Sequence, residues 1–78
     1  MNAAQARQAR TALKIRIRDV ARAACVSPDT VSRFERGQEL RSATIMAIRS
    51  ALEKAGADFT EAVSGSDGVK LHAHVQVG

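Results

Sequence analysis

Seventy-eight residues with 12 Lys and Arg against 8 Asp and Glu, a net charge of +4, describe one small basic domain, with so limited an apolar core that a partner subunit would add useful burial. No apolar run approaches a membrane span, and the N-terminal NAAQARQARTALK is interrupted by charge every few residues, unlike a signal peptide, so the chain is expected in the cytoplasm. A single cysteine cannot staple the fold internally, which agrees with a reducing compartment.

A first helix is predicted from its cap Asn2 to about Leu13, with Ala6, Ala9 and Leu13 inward. The LKIRIR that follows alternates apolar and basic residues, which by pattern alone writes a strand. In IRDVARAACVSPDTVSRFER, residues 17–36, Val20, Ala21 and Ala24 mark one apolar stripe on a short helix. Methyl-sized Ala21 permits the close approach of a crossing helix. Cys25, Val26 and Ser27 form the turn, with Val26 plugging the angle between the two helices. Ser27 then caps a second helix whose first residue is Pro28, where a missing amide hydrogen does no harm. Val31 and Phe34 point inward, Asp29, Thr30, Ser32, Arg33 and Arg36 stay on a polar outer face, and Gly37 ends the helix.

Beyond the polar loop QELRS, Ser42 is expected to cap a helix with Ile45, Ile48, Leu52 and Ala55 along one stripe, stopped by Gly56. FTEAV at residues 59–63 and VKLHAHVQV at residues 69–77 are strand candidates separated by the turn former SGSDG. In the second, Val69, Leu71, Ala73, Val75 and Val77 share one face, with Lys70, His72, His74 and Gln76 on the other. The two arms are unequal, which leaves backbone edge to seek a partner. The hairpin is therefore expected to make a two-fold homodimer, with Phe59 and the Val/Leu face as its contact residues. A disordered tail, or a sheet packed on its own helices, is the plainer alternative.

Residues 17–37, and above all VSPDTVSRFERG, resemble the helix-turn-helix of the Cro/CI-type (XRE-like) transcriptional regulators, with a looser likeness from about residue 5 to residue 56. The family usually carries Gly where this chain has Cys25, a position where a Cβ is strained if φ is positive. It commonly opens the first motif helix with a capping Ser or Thr where this chain has Arg16. The resemblance makes LKIRIR a link between helices, anchored by Ile15 and Ile17, with Arg16 and Arg18 exposed. The fold class it implies is mainly α: a four-helix Cro/CI-like helix-turn-helix domain over residues 1–56, then a C-terminal β-hairpin arm over residues 57–78 used for dimerisation.

In such a motif the second helix enters the major groove and the first crosses the backbone. Ser27, Asp29, Thr30, Ser32 and Arg33 are thereby expected to meet base edges. Arg33 has the greatest reach and can bond both O6 and N7 of guanine. Asp29 either accepts from cytosine N4 or repels phosphate and orients Arg33; both roles stay open. Arg10, Arg16, Arg18, Arg36, Gln38 and Arg41 flank the motif where the family's backbone contacts occur and are expected to hold phosphates, their plain alternative being solvation or ion pairing. The charge distribution agrees, at +5 over residues 1–18, +1 over residues 19–56 and −2 over residues 57–78, although an ordinary solvated surface would also scatter charge.

A dimer would face two half-sites about 34 Å apart, hence double-stranded DNA with an inverted-repeat operator. Regulators resembling this one act as repressors or activators and often bind their own promoters. The rival class is a protein-interaction module, an antitoxin or antiactivator, docking through the C-terminal arm; large apolar anchors would mark such a surface, whereas the outer face here carries Ser, Thr and Arg. His72 and His74 share one side of a strand but lack evident third and fourth ligands, so no metal or other cofactor is expected. Cys25 is read as a small semi-buried residue rather than a redox switch. With no Gly-rich phosphate loop, paired carboxylates or nucleophile system, the chain is not expected to be an enzyme.

Overall fold

Asn2 starts the first helix through a reciprocal cap. Its side-chain oxygen accepts from the Gln5 backbone N–H at 2.8 Å, and Gln5 Oε1 accepts from the Asn2 backbone N–H at 2.8 Å. The structure, a computed structural model, describes residues 1–59 and 70–71. Its elements are α1 (Ala3–Leu13), α2 (Ile17–Ala24), α3 (Pro28–Glu35), α4 (Ser42–Lys54), β1 (Ala57–Asp58) and β2 (Lys70–Leu71). The fold is mainly α, and all four expected helices form.

The alternating LKIRIR is no strand. Lys14 turns left-handed at the end of α1, and Ile15 and Ile17 pack against the core at either end of the link while Arg16 and Arg18 stay exposed. Partial burial of two isoleucines against the helices overrides a local alternation that a strand would need a sheet to satisfy.

The core lies where α2 meets α3 and α4, its most extensive packing partners, with α1 laid across α3 and α4. Val20, Ala21 and Ala24 face Val31 and Phe34 from α3 and Ile48, Ala51 and Leu52 from α4, all buried. Ala6 and Ala9 bring α1 close to the rest without bulk between the backbones. Each large apolar side chain buried this way contributes about 1.5–3 kcal/mol, which gives the small domain its cohesion. No helix among the described residues is long and apolar enough to cross a membrane.

Three helices stop by one device. Lys14, Cys25 and Gly37 have φ of 60°, 60° and 97°, and the next residue's N–H reaches back to a carbonyl in the last turn: Ile15 to Arg10, Val26 to Ala21, Gln38 to Arg33. Only one of the three is glycine. Gly56, at φ 124°, ends α4, and a Cβ there would stand 3.3 Å from Leu13 Cδ2, so this glycine serves both the turn and the packing of α1.

Two expectations about α4 need correction. Ser42 is its first helical residue, not its cap; extended Arg41 takes the cap position because its carbonyl already accepts from Ile45 N–H at 3.0 Å. Ala55 is exposed at the C-cap, and Ala51, one turn earlier, is buried in its stead. The strand after Gly56 also starts earlier than the expected 59–63. Ala57–Asp58 pairs antiparallel with Lys70–Leu71, Ala57 opposite Leu71 and Asp58 opposite Lys70.

Phe59 is a further correction: expected at a subunit contact, it is 3% exposed in its own chain's core, with the Arg49 guanidinium 5.7 Å above its ring centre. The core therefore continues past residue 56. The remainder of the expected hairpin, Val69, Ala73, Val75 and Val77 included, lies outside the described residues.

A non-glycine residue in the left-handed region is held there at a cost of about 1–2 kcal/mol. Cys25, expected half-buried, is instead exposed, so its sulfur contributes little packing in return. Cys25→Gly is expected to stabilise the fold by about 0.5–1 kcal/mol once the glycine's looser unfolded state is allowed for. Scanning calorimetry should show this as a midpoint raised by roughly 2–8 °C. A lowered midpoint would mean that the turn carries no such strain.

Candidate nucleic-acid interface

Ser27 sets the direction of α3. Its Oγ accepts from Thr30 N–H at 3.1 Å and shares a 2.9 Å hydrogen bond with Thr30 Oγ1, while Pro28 occupies the first helical position. From this start Val31, Phe34 and Glu35 are buried. With about 3.6 residues per turn, Asp29, Arg33 and Arg36 fall on the opposite side, where all three are exposed. Ser27 is exposed at the tip, and Thr30 and Ser32 are half-buried along the two flanks. The outer face is thus polar from end to end, as its residue types require.

Asp29 and Arg33 stand one turn apart and meet. Arg33 Nε donates to Asp29 Oδ2 at 2.8 Å, and Nη2 lies 2.7 Å from the same oxygen, with the side chains 48% and 64% exposed. An exposed pair at this spacing contributes only about 0.3–0.5 kcal/mol to stability, so its effect is mainly on where the guanidinium points.

Glu35 is a charged residue on the inward side of α3, and it is answered from α1. Arg10 forks onto its carboxylate, Nε to Oε2 at 2.7 Å and Nη2 to Oε1 at 3.1 Å, and also donates to the Ile15 carbonyl at 3.2 Å. Arg7 donates to the Glu35 backbone carbonyl at 2.9 Å, satisfying one orphan acceptor at the end of α3. Arg10, expected at a phosphate, is therefore corrected to an internal strut. Its side chain is 20% exposed and its guanidinium is committed to a carboxylate that would otherwise be buried unpaired. Glu35 and Arg7 support the site from positions that the sequence motif does not single out. The signal for Glu35 was available, because it falls on the inward stripe of Val31 and Phe34, where an acid is out of place without a partner.

The other expected phosphate holders form a different group. Arg16, Arg18, Arg36, Gln38 and Arg41 are exposed and make no hydrogen bond or ion pair through their side chains with any described residue. Arg16 and Arg41 occupy the N-caps of α2 and α4, where a guanidinium, having no acceptor, leaves first-turn amides uncapped. In α2 the carboxylate of Asp19 accepts the Arg16 backbone N–H at 3.1 Å, half of a capping box. In α4 the first turn carries no acid. Two basic helix entrances thus precede and follow α3 along the chain. Among the described residues no cluster of His, Cys, Asp and Glu is arranged to hold a metal, and His72 and His74 lie outside them.

Two short helices joined through a three-residue turn, the second with an uncovered polar side, define a helix-turn-helix domain. The model of the helix-turn-helix domain family matches residues 3–63, and the chain belongs to that family, in its XRE/Cro-like kind. Neither the curated proteins nor the solved structures yield a match.

Removing one member of a buried pair strands the other. Glu35→Ala is expected to destabilise the domain by about 3 kcal/mol in urea unfolding, whereas Arg10→Met with Glu35→Leu together should lose far less. Equal losses for the two variants would show that the pair does not act as a unit.

Proposed function

We propose that the protein is a sequence-specific, DNA-binding transcriptional regulator, acting in the cytoplasm as a homodimer on an inverted-repeat operator. The observation that carries this reading is the outer side of α3. Asp29, Arg33 and Arg36 project away from the core on a rigidly backed helix, and no described residue from another element covers them. An eight-residue helix with such a side is of a size to enter the major groove, about 12 Å wide. Ser27, Asp29, Thr30, Ser32 and Arg33 then meet base edges, and Arg33 has the donors to take guanine O6 and N7 together.

Arg16, Arg18, Arg36, Gln38 and Arg41 bind phosphates on either side. Their exposed side chains, unpaired among the described residues, and the two basic helix entrances support this role. Helix amides there add partial positive charge to the fixed cations. These contacts set register and orientation rather than sequence.

Residues 1–59 supply the DNA-reading part and the residues beyond them the dimerising arm, with Val69, Leu71, Ala73, Val75 and Val77 as its contact face. One domain holding one half-site binds weakly, and joining two raises the local concentration of the second. Repression by covering a promoter, activation from just upstream, and control of its own promoter all follow from occupancy of such a site.

Arg33→Ala should weaken binding to the selected operator roughly 10- to 100-fold and binding to random duplex far less. Arg18→Ala should weaken both alike and reduce the slope of log K against log salt by about 0.9. Fluorescence anisotropy across a salt series measures each, and equal losses on both duplexes for Arg33→Ala would remove it as a base reader. Sedimentation of the full chain across tens of micromolar tests the dimer, which a persistent monomer would exclude.

A further inference from the structure

A carboxylate on the DNA-facing side of α3 works against binding, because every approaching phosphate repels it. Asp29 nevertheless stands there, 64% exposed, and its pairing with Arg33 adds too little stability to account for it. The geometry of the pair supplies a reason. Both Arg33 nitrogens, Nε and Nη2, sit on the single oxygen Oδ2. That leaves Arg33 Nη1 and the outward hydrogen of Nη2 on one side, and Asp29 Oδ1 on the other, without a partner among the described residues.

We infer that Asp29 is a specificity-determining and positioning residue: it holds the Nη1/Nη2 end of Arg33 toward guanine and reads the amino group of an adjacent cytosine with its own free oxygen. This rests on the DNA-binding reading above and deepens it. The Nη1/Nη2 end presents two parallel N–H groups that match guanine O6 and N7. Held by Asp29, it is kept from swinging to a phosphate, where it would add affinity without discrimination. Oδ1 can only accept. In the major groove guanine and thymine oxygens repel it, and adenine sets its N7 acceptor beside the N6 donor, whereas cytosine offers the N4 amino group alone. The pair therefore recognises a guanine next to a base pair that presents cytosine.

Selection of bound duplexes from a random pool, read by sequencing for the full-length protein and three variants, tests this. The unmodified protein should enrich one dominant guanine with an adjacent cytosine. Asp29→Ala should lose about tenfold discrimination at the guanine and all preference at the cytosine, yet bind random duplex more tightly, since a repelling charge is gone. Asp29→Asn should move the adjacent preference from cytosine to adenine, which an amide can contact through N6 and N7. Arg33→Lys keeps the charge without the fork and should lose the guanine while retaining affinity for random duplex. Circular dichroism melts of each variant check that α3 remains folded. Unchanged enrichment with Asp29→Ala would overturn the role of Asp29 and leave the regulator reading standing. Failure of the unmodified protein to enrich any sequence would overturn both.

Discussion

The Glu35 carboxylate, gripped by Arg10 beneath α3, is the contact on which the presentation of the outer face depends. Eight residues are too few for a helix to persist in water, so α3 exists because it is packed. Val31 and Phe34 give it adhesion, but apolar contact is non-directional and lets a two-turn rod roll or slide. The two-point fork from Arg10 is directional. Together with Arg7 on the Glu35 carbonyl it ties α3 to α1, 25 to 28 residues earlier in the chain, and so determines which residues face outward.

The turn geometry shows how the same demand is met at the backbone. α1, α2 and α3 all end in a left-handed residue followed by a hydrogen bond to the preceding turn, although two of those residues, Lys14 and Cys25, have side chains. At Cys25 the constraint is plain. Val26 must drop into the angle between α2 and α3 and Ser27 must arrive extended to cap, and only a sharp reversal at position 25 achieves both. Local strain persists because the packing on either side determines the backbone path.

The cations divide by partner. Arg7 and Arg10 hold α1 to α3, and Arg49 lies over Phe59 while pairing with Glu53; these stabilise the fold. Arg16, Arg18, Arg36 and Arg41 have no such partner among the described residues and stay exposed to solvent. Arg33 stands between the two groups, exposed yet restrained by Asp29. Specific recognition needs this mixture, since unrestrained cations attract any duplex and an aimed one distinguishes bases.

What the chain's own residues determined were the features decided within a few positions of each other: Asn2, Ser27 with Pro28, and Gly37 and Gly56 mark helix ends because caps and left-handed stops act over one turn, and the inward stripes follow from helical spacing. The polar outer side of α3 was legible for the same reason. Whether an arginine meets a phosphate or a carboxylate was not, because Arg10 and Arg18 are alike until a helix from elsewhere places Glu35 beside one of them. Nor could spacing tell that the alternating LKIRIR would bridge helices, or that Phe59 would turn into its own core under Arg49. Those outcomes depend on long-range burial and charge compensation, which exist only once the four helices have come together.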